Sequence, residues 1–285
     1  MRPFDYAEPE TLDEALALLA ADPDDTLVMA GGTSLVILLK QELVRPRRVI
    51  GLRRLRQLAA VQRSSAEGGI DIGALATHAT LARHALVRSV APALATTFAS
   101  VATVRIREQA TLGGSLAHAD PAQDPPVTLL ALDAVVEVRS QARSRRMPLA
   151  ALFVDVFETS LEPDELLLWV EVPPLPLGAR ATYRKFLPGS RDDYATVSVA
   201  AVLATGADGT CTHARIALGG AGPVPFRAHA AENALIGRRL DDDAIREAAA
   251  LAAAATAPFD DLRGSAAYKR AMAGIWTERA LREVA

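Results

Sequence analysis

The sequence predicts an α+β protein of two units, the second a small antiparallel sheet with C-terminal helices packed on it. Three observations predict it. Short apolar strands alternate with helical stretches over the first half of the chain. Three prolines and a glycine then fall within Pro173–Gly178, a strong boundary signal. Beyond them, strand-like runs precede an alanine-rich helical tail. At 285 residues, 50% hydrophobic and 23% charged, the chain can bury a sizeable core.

The elements follow in order. Thr11-Leu12-Asp13-Glu14 reads as a capping box, and Leu12, Ala15, Leu16 and Leu19 recur at helical spacing behind it. Asp22-Pro23-Asp24-Asp25 ends that helix and leads into a short apolar strand, Thr26–Met29. Gly31-Gly32-Thr33-Ser34 then hands over to a helix across Leu35–Lys40, and Arg48–Leu52 and Gly69–Gly73 read as further strands. Thr77–Val87 and Pro92–Ser100 read as helices, each opened by a turn former or proline. A second glycine turn, Gly113-Gly114, comes after them. Asp124 as N-cap, with proline at the first helical position, starts a helix through Leu132. Ala134–Arg139 and Arg145–Leu149 predict a hairpin, and Glu165–Val172 a strand stopped by Pro173-Pro174. Thr182–Leu187, Ala195–Ala204 and Thr210–Leu218 predict the second unit's strands; Ala228–Ile236, Asp242–Ala257 and Ser265–Arg282 predict its helices.

Composition excludes several functions. A net charge of −3 offers no basic excess for nucleic acid or an anionic membrane. The longest apolar runs, near Leu35–Leu39 and Ala248–Ala255, are far shorter than a membrane span, and no signal-peptide pattern opens the chain. A cytoplasmic setting is the expectation. Cys211 is the sole cysteine, so the chain can form no internal disulfide and cannot itself ligate an iron–sulfur cluster. It falls in a predicted strand, as a small buried hydrophobe rather than a nucleophile. The five histidines show no metal-ligand spacing, and most read as surface or satisfied side chains. The fingerprints of Rossmann sites, P-loops and G-x-S-x-G hydrolases are missing.

What remains is the pair of glycine turns. A strand that ends in Gly-Gly and passes to a helix can aim several backbone N–H groups at one anion, because glycine permits positive φ and close approach. The following helix adds its positive end, and Thr33, Ser34, Thr111 and Ser115 add hydroxyls. Two such sites suit a diphosphate; two tight turns at strand ends are the simpler alternative.

The longer strings around the turns are more specific. Met29-Ala30-Gly31-Gly32-Thr33-Ser34-Leu35 and Ala110-Thr111-Leu112-Gly113-Gly114-Ser115-Leu116-Ala117-His118-Ala119-Asp120-Pro121-Ala122-Gln123-Asp124 together resemble the FAD-binding medium subunit of molybdenum hydroxylases. That family is typified by the carbon monoxide dehydrogenase medium subunit and the xanthine dehydrogenase FAD-binding subunit. Phe4-Asp5-Tyr6, Leu161–Leu167, Tyr183-Arg184-Lys185 and Asp192-Asp193-Tyr194-Ala195 extend the resemblance over nearly the whole chain.

The resemblance implies a two-part FAD-binding domain over residues 1–175, divided near 55–60, and a carbon monoxide dehydrogenase flavoprotein-type domain over 176–285. It implies FAD as cofactor, with Leu27, Val28, Met29, Ala30, Gly31, Gly32, Thr33 and Ser34 forming one diphosphate segment. Thr111, Leu112, Gly113, Gly114 and Ser115 would form the other. Val101 would line the cofactor, His118 would lie near it, and Leu167 would pack against the flavin ring. Asp124 would bond a ribose or nearby hydroxyl, with its helix-cap role as the alternative. Lys185 would face the ring's polar edge unless it is an exposed strand lysine. Tyr194 would sit beside the isoalloxazine unless it is a plain core aromatic. Arg105 and Arg107 could face the phosphates, a partner subunit or solvent. Thr33 and Ser115 stand where the family often carries histidine and asparagine, and both keep a hydrogen-bonding side chain.

The implied function is an electron-transfer subunit, with an iron–sulfur small subunit and a molybdopterin large subunit as partners. NAD, oxygen or another molecule would accept the electrons. The alternative is a free-standing FAD-dependent oxidase or reductase on the same scaffold.

Overall fold

A computed structural model describes residues 2–64, 68–190 and 192–285. The first elements are β1 (Asp5–Ala7), α1 (Leu12–Ala20), β2 (Thr26–Met29), α2 (Leu35–Lys40) and β3 (Arg48–Gly51). The strands make a parallel sheet in the order β1-β3-β2, and α1 buries Ala15, Leu16 and Leu19 against it. The Thr11 hydroxyl caps α1 by accepting from the Glu14 N–H, as the capping box predicts.

The next stretch contains β4 (Val61–Arg63), β5 (Ile70–Gly73), α3 (His78–Arg83), α4 (Ala85–Val90), α5 (Pro92–Ser100), α6 (Val104–Arg107), α7 (Leu112–His118) and α8 (Asp124–Ala131). It continues with β6 (Val135–Arg139), β7 (Ser144–Pro148), β8 (Phe153–Asp155), β9 (Glu158–Thr159) and β10 (Leu166–Val172). An antiparallel sheet of order β4-β5-β10-β6-β7 packs its inner face on α3, α5, α7 and α8, while β8 and β9 form a separate hairpin.

β10 serves two cores. Leu167, Val170 and Val172 join the helical core, whereas Leu166 and Leu168, with Trp169 against them, join the core of the β1–β3 sheet. A bulge between Leu167 and Trp169 breaks the two-residue alternation, placing consecutive Leu168 and Trp169 on one side.

The last part is β11 (Arg180–Phe186), β12 (Val197–Thr205), β13 (Cys211–Gly219), β14 (Phe226–Arg227), α9 (His229–Leu235), α10 (Asp242–Ala254) and α11 (Ala266–Val284). Its antiparallel sheet runs β11-β12-β13-β14 with the helices on one face. Small residues of α10 and α11, such as Ala248, Ala252, Ala273 and Ala280, let the helices approach the sheet.

Three expectations need correction. The helix expected over Thr77–Val87 is two helices, because His84 is extended and its carbonyl starts α4 by accepting from the Arg88 N–H. The second glycine motif is not a turn before a helix. Thr111 is the N-cap, and Gly113, Gly114 and Ser115 already lie inside α7. Asp124 does not cap α8: Gln123 holds the N-cap position, and the Asp124 carboxylate is engaged elsewhere.

Candidate functional site

A cavity of about 830 Å³ is lined by residues of the β1–β3 sheet and of the helical layer, within the size range of cofactor sites. Both glycine motifs line it. The first follows β2, where Gly32 takes φ +71°, a conformation suited to glycine. Gly31 is needed for space: a Cβ there would stand 2.0 Å from the carbonyl oxygen of Gln109. That contact brings the two motifs together across the cavity floor.

The motifs differ in their backbone donors. In the second, the N–H groups of Leu112 and Gly113 donate to Ala76 and Ala74 carbonyls at 3.0 and 2.8 Å. Gly114 donates to the Thr111 hydroxyl at 3.2 Å and Ser115 to the Thr111 carbonyl at 3.0 Å. Its amides are therefore committed, contrary to the expected pair of anion nests. In the first motif, the N–H groups of Gly31, Gly32, Thr33 and Ser34 donate to no group among the described residues. A run of free amides beside a cavity is a ready anion site. The second motif contributes its hydroxyls, Thr111 and Ser115, and close approach at Gly114.

The cavity's lining includes the apolar Leu27, Leu43, Val44 and Leu52. It also includes Leu167, Tyr194, His118, Gln123 and Phe157. His118 packs its ring on Phe157 at 5.1 Å, and burial lowers its pKa against the opposing pull of Asp120. The Tyr194 hydroxyl is pushed up by burial first and then by Asp120.

Of the expected residues, Leu27 through Ser34, Thr111, Gly113, Gly114, Ser115, His118, Leu167 and Tyr194 all line this cavity. Val101, Leu112, Asp124 and Lys185 do not. Leu112 is fully buried in the helical core. The Val101 carbonyl accepts from Arg107 at 2.7 Å, which ties Arg107 to its own loop rather than to the cavity. Arg105 lines a smaller hollow that shares the Gly31–Gly32 loop with this cavity.

Asp124 and Lys185 form a buried pair at 2.9 Å, so Lys185 is not an exposed strand lysine. Tyr183 donates its hydroxyl to the same carboxylate at 2.5 Å, and Lys185 also donates to the Ser100 carbonyl at 3.2 Å. Burial pushes the Asp124 carboxyl up despite the Lys185 charge and the Tyr183 hydrogen bond. The pair sits close enough to Tyr194 for Asp124 to help raise that hydroxyl.

Phe157 at the cavity and His78 behind it were not singled out by the sequence, and Gln123 appeared there only inside the longer motif string. Phe157 is reached only because the β8–β9 hairpin folds over the opening. Gln123 presents a buried Oε1 with no partner. His78, read as a surface or satisfied histidine, is 1% exposed, bonded to Ser115, and has an unpartnered Nδ1. Among the described residues no cluster of His, Cys, Asp and Glu could hold a metal, and no helix is long and apolar enough to cross a membrane. Cys211 is buried in β13.

Comparison with known proteins completes the picture. Residues 2–175 match the FAD binding domain in molybdopterin dehydrogenase, and residues 177–284 match the CO dehydrogenase flavoprotein C-terminal domain. The 6-hydroxypseudooxynicotine dehydrogenase complex subunit alpha of Paenarthrobacter nicotinovorans is 38% identical, over 98% of this chain and 93% of that protein. The carbon monoxide dehydrogenase medium chain of Afipia carboxidovorans is 34% identical, over 98% of this chain and 95% of its own length. Carbon monoxide dehydrogenase from Hydrogenophaga pseudoflava superimposes with a TM-score of 0.95 at 33% identity, over 100% of this chain and 98% of that one. FAD fits the cavity: a charged diphosphate suits the free amides of Gly31–Ser34, and the flavin and adenine rings suit its apolar and aromatic lining. The chain therefore belongs to the FAD-binding subunits of the molybdenum hydroxylase family, an oxidoreductase component whose cofactor is FAD.

Proposed function

We propose that this chain takes electrons from an iron–sulfur subunit of a molybdenum hydroxylase and delivers them to NAD, oxygen or another acceptor. Bound FAD supplies the redox chemistry, and the protein binds, orients and tunes it. One observation carries the reading: the free amides of Gly31–Ser34 line the same cavity of about 830 Å³ as Thr111, Ser115, Leu167 and Tyr194.

In this reading Gly31, Gly32, Thr33 and Ser34 donate to the diphosphate, and Thr111 and Ser115 add hydroxyls from the opposite wall. Leu167 and Tyr194 flank the flavin ring. Lys185 and Asp124 stand behind them, acting on the ring through charge rather than contact. Val101 and Leu112 shape the wall from within. Residues 1–175, in two parts meeting near 55–60, form the FAD-binding unit, and 176–285 form the second.

Partner chains follow from the cysteine count and from the relatives. A single buried cysteine leaves cluster ligation to another chain. One relative is named as the medium chain of its enzyme and another as a subunit of a complex.

The test begins with the purified full chain titrated with FAD and its visible spectrum recorded after gel filtration. Retained flavin absorbance is expected, lost in Gly32→Val and Gly114→Val and kept in Cys211→Ser. A colourless wild-type chain would overturn the reading. Co-purification of cysteine-rich and molybdenum-containing chains tests the complex, and stopped-flow mixing with NADH tests NAD as acceptor.

A further inference from the structure

His78 opens α3 and is 1% exposed, with its ring stacked on Phe98 at a centroid distance of 5.4 Å. Its Nε2 lies 2.9 Å from the hydroxyl of Ser115, which lines the FAD cavity. Its Nδ1 is buried with no partner among the described residues. Burial, helped by the nearby Arg107 charge, lowers its pKa from 6.5 to about 4, so the ring is neutral at pH 7.

A neutral imidazole carries one proton, and the two placements differ in cost. A proton on Nδ1 would leave a buried N–H with no acceptor, the rarer kind of orphan in folded proteins. A proton on Nε2 leaves only a bare ring nitrogen. The second placement wins, so the Nε2–H donates and the Ser115 oxygen accepts.

That choice decides what Ser115 can do. A helical serine commonly turns its proton back to the carbonyl four residues earlier. Here no such bond forms among the described residues: the hydroxyl of Ser115 is paired with His78 and not with the Thr111 carbonyl. With one lone pair of the Ser115 oxygen taken by His78, the hydroxyl proton is left to face the cavity.

We propose that His78 is a positioning residue that fixes Ser115 as a hydrogen-bond donor to the diphosphate of bound FAD. The proposal rests on the FAD-binding reading above. It accounts for a buried histidine that does not touch the cavity, and for how the second motif, whose amides are committed, still contributes a donor.

The experiment is a double-mutant cycle on FAD affinity, read by flavin fluorescence with the full chain. Ser115→Ala and His78→Phe, which keeps the stacking on Phe98, are each expected to weaken FAD by about tenfold, the size of one hydrogen bond to a charged group. The double variant is expected to bind no more weakly than either single one. His78→Gln, whose amide can still donate, is expected to stay within about twofold of wild type. The phosphorus resonances of bound FAD should move alike in Ser115→Ala and His78→Phe, and stay in place in His78→Gln. Wild-type affinity in His78→Phe, or losses that multiply in the double variant, would overturn the proposal. If His78→Phe fails to fold, a tenfold loss in folded His78→Gln overturns it equally. A wild-type chain that binds no FAD would instead sink the reading on which the proposal stands.

Discussion

The backbone of Gly31 rests against the carbonyl of Gln109 so closely that an added Cβ would stand 2.0 Å from that oxygen. Both partners are main chain, so no rotamer change can relieve the clash. Gly31→Ala is expected to push the two motifs apart, lowering unfolding free energy by about 3 kcal/mol, the upper range for overpacking. Urea denaturation checks the stability and flavin absorbance the accompanying loss of FAD.

The buried Lys185–Asp124 pair makes a second prediction. Lys185→Met leaves the carboxylate without its cation, which is expected to cost about 3–5 kcal/mol. Burial already raises the folded-state pKa of Asp124, so its contribution to stability is full below the unfolded pKa and is lost as pH rises through the folded one. Without Lys185 that loss deepens, and the variant's deficit should be larger at neutral pH than in acid. Asp124→Asn in the same background should recover most of it. Denaturation of the wild type and both variants at both pH values is the measurement.

His78 sets the opposite slope. Its folded-state pKa is depressed from 6.5 to about 4, so the stability it contributes is full above pH 6.5 and is lost as pH falls toward 4. The expected loss is about 3 kcal/mol over that interval. His78→Gln carries no titrating ring, and the difference in unfolding free energy between it and wild type should shrink by that amount on acidification. A constant difference across the interval would refute the assignment.

Phe157 separates stability from binding. It is 56% exposed at the cavity opening, yet holds φ +59°, an unfavourable conformation for a bulky residue. Phe157→Gly is expected to stabilise the free chain by about 1 kcal/mol while speeding FAD release several-fold. Thermal melting without cofactor and dissociation kinetics with it give the two readouts.

Long elements with a clear period were legible in the sequence. The α1 capping box, the paired strands β6 and β7, and β11 through β13 appear where patterning placed them. β1, β4, β8, β9 and β14 were not, because two or three residues show no period and their pairing partners are distant. The first glycine motif, singled out through its flanking residues, does line the cavity. Phe157 and His78 were not singled out: each reaches the site through a neighbour remote in sequence, Phe157 through its packing on His118 and His78 through Ser115.

By itself, then, the sequence determined the α+β class, the FAD family and the two glycine motifs, because residue type and spacing carry that information locally. The tertiary structure alone decided which motif keeps free amides. Both are Gly-Gly-Thr/Ser-like strings, but only the second meets the carbonyls of Ala74 and Ala76, which satisfy its N–H groups. Whether a backbone donor is open to a ligand depends on which acceptor the fold brings to it, and that acceptor lies nearly forty residues away in the chain.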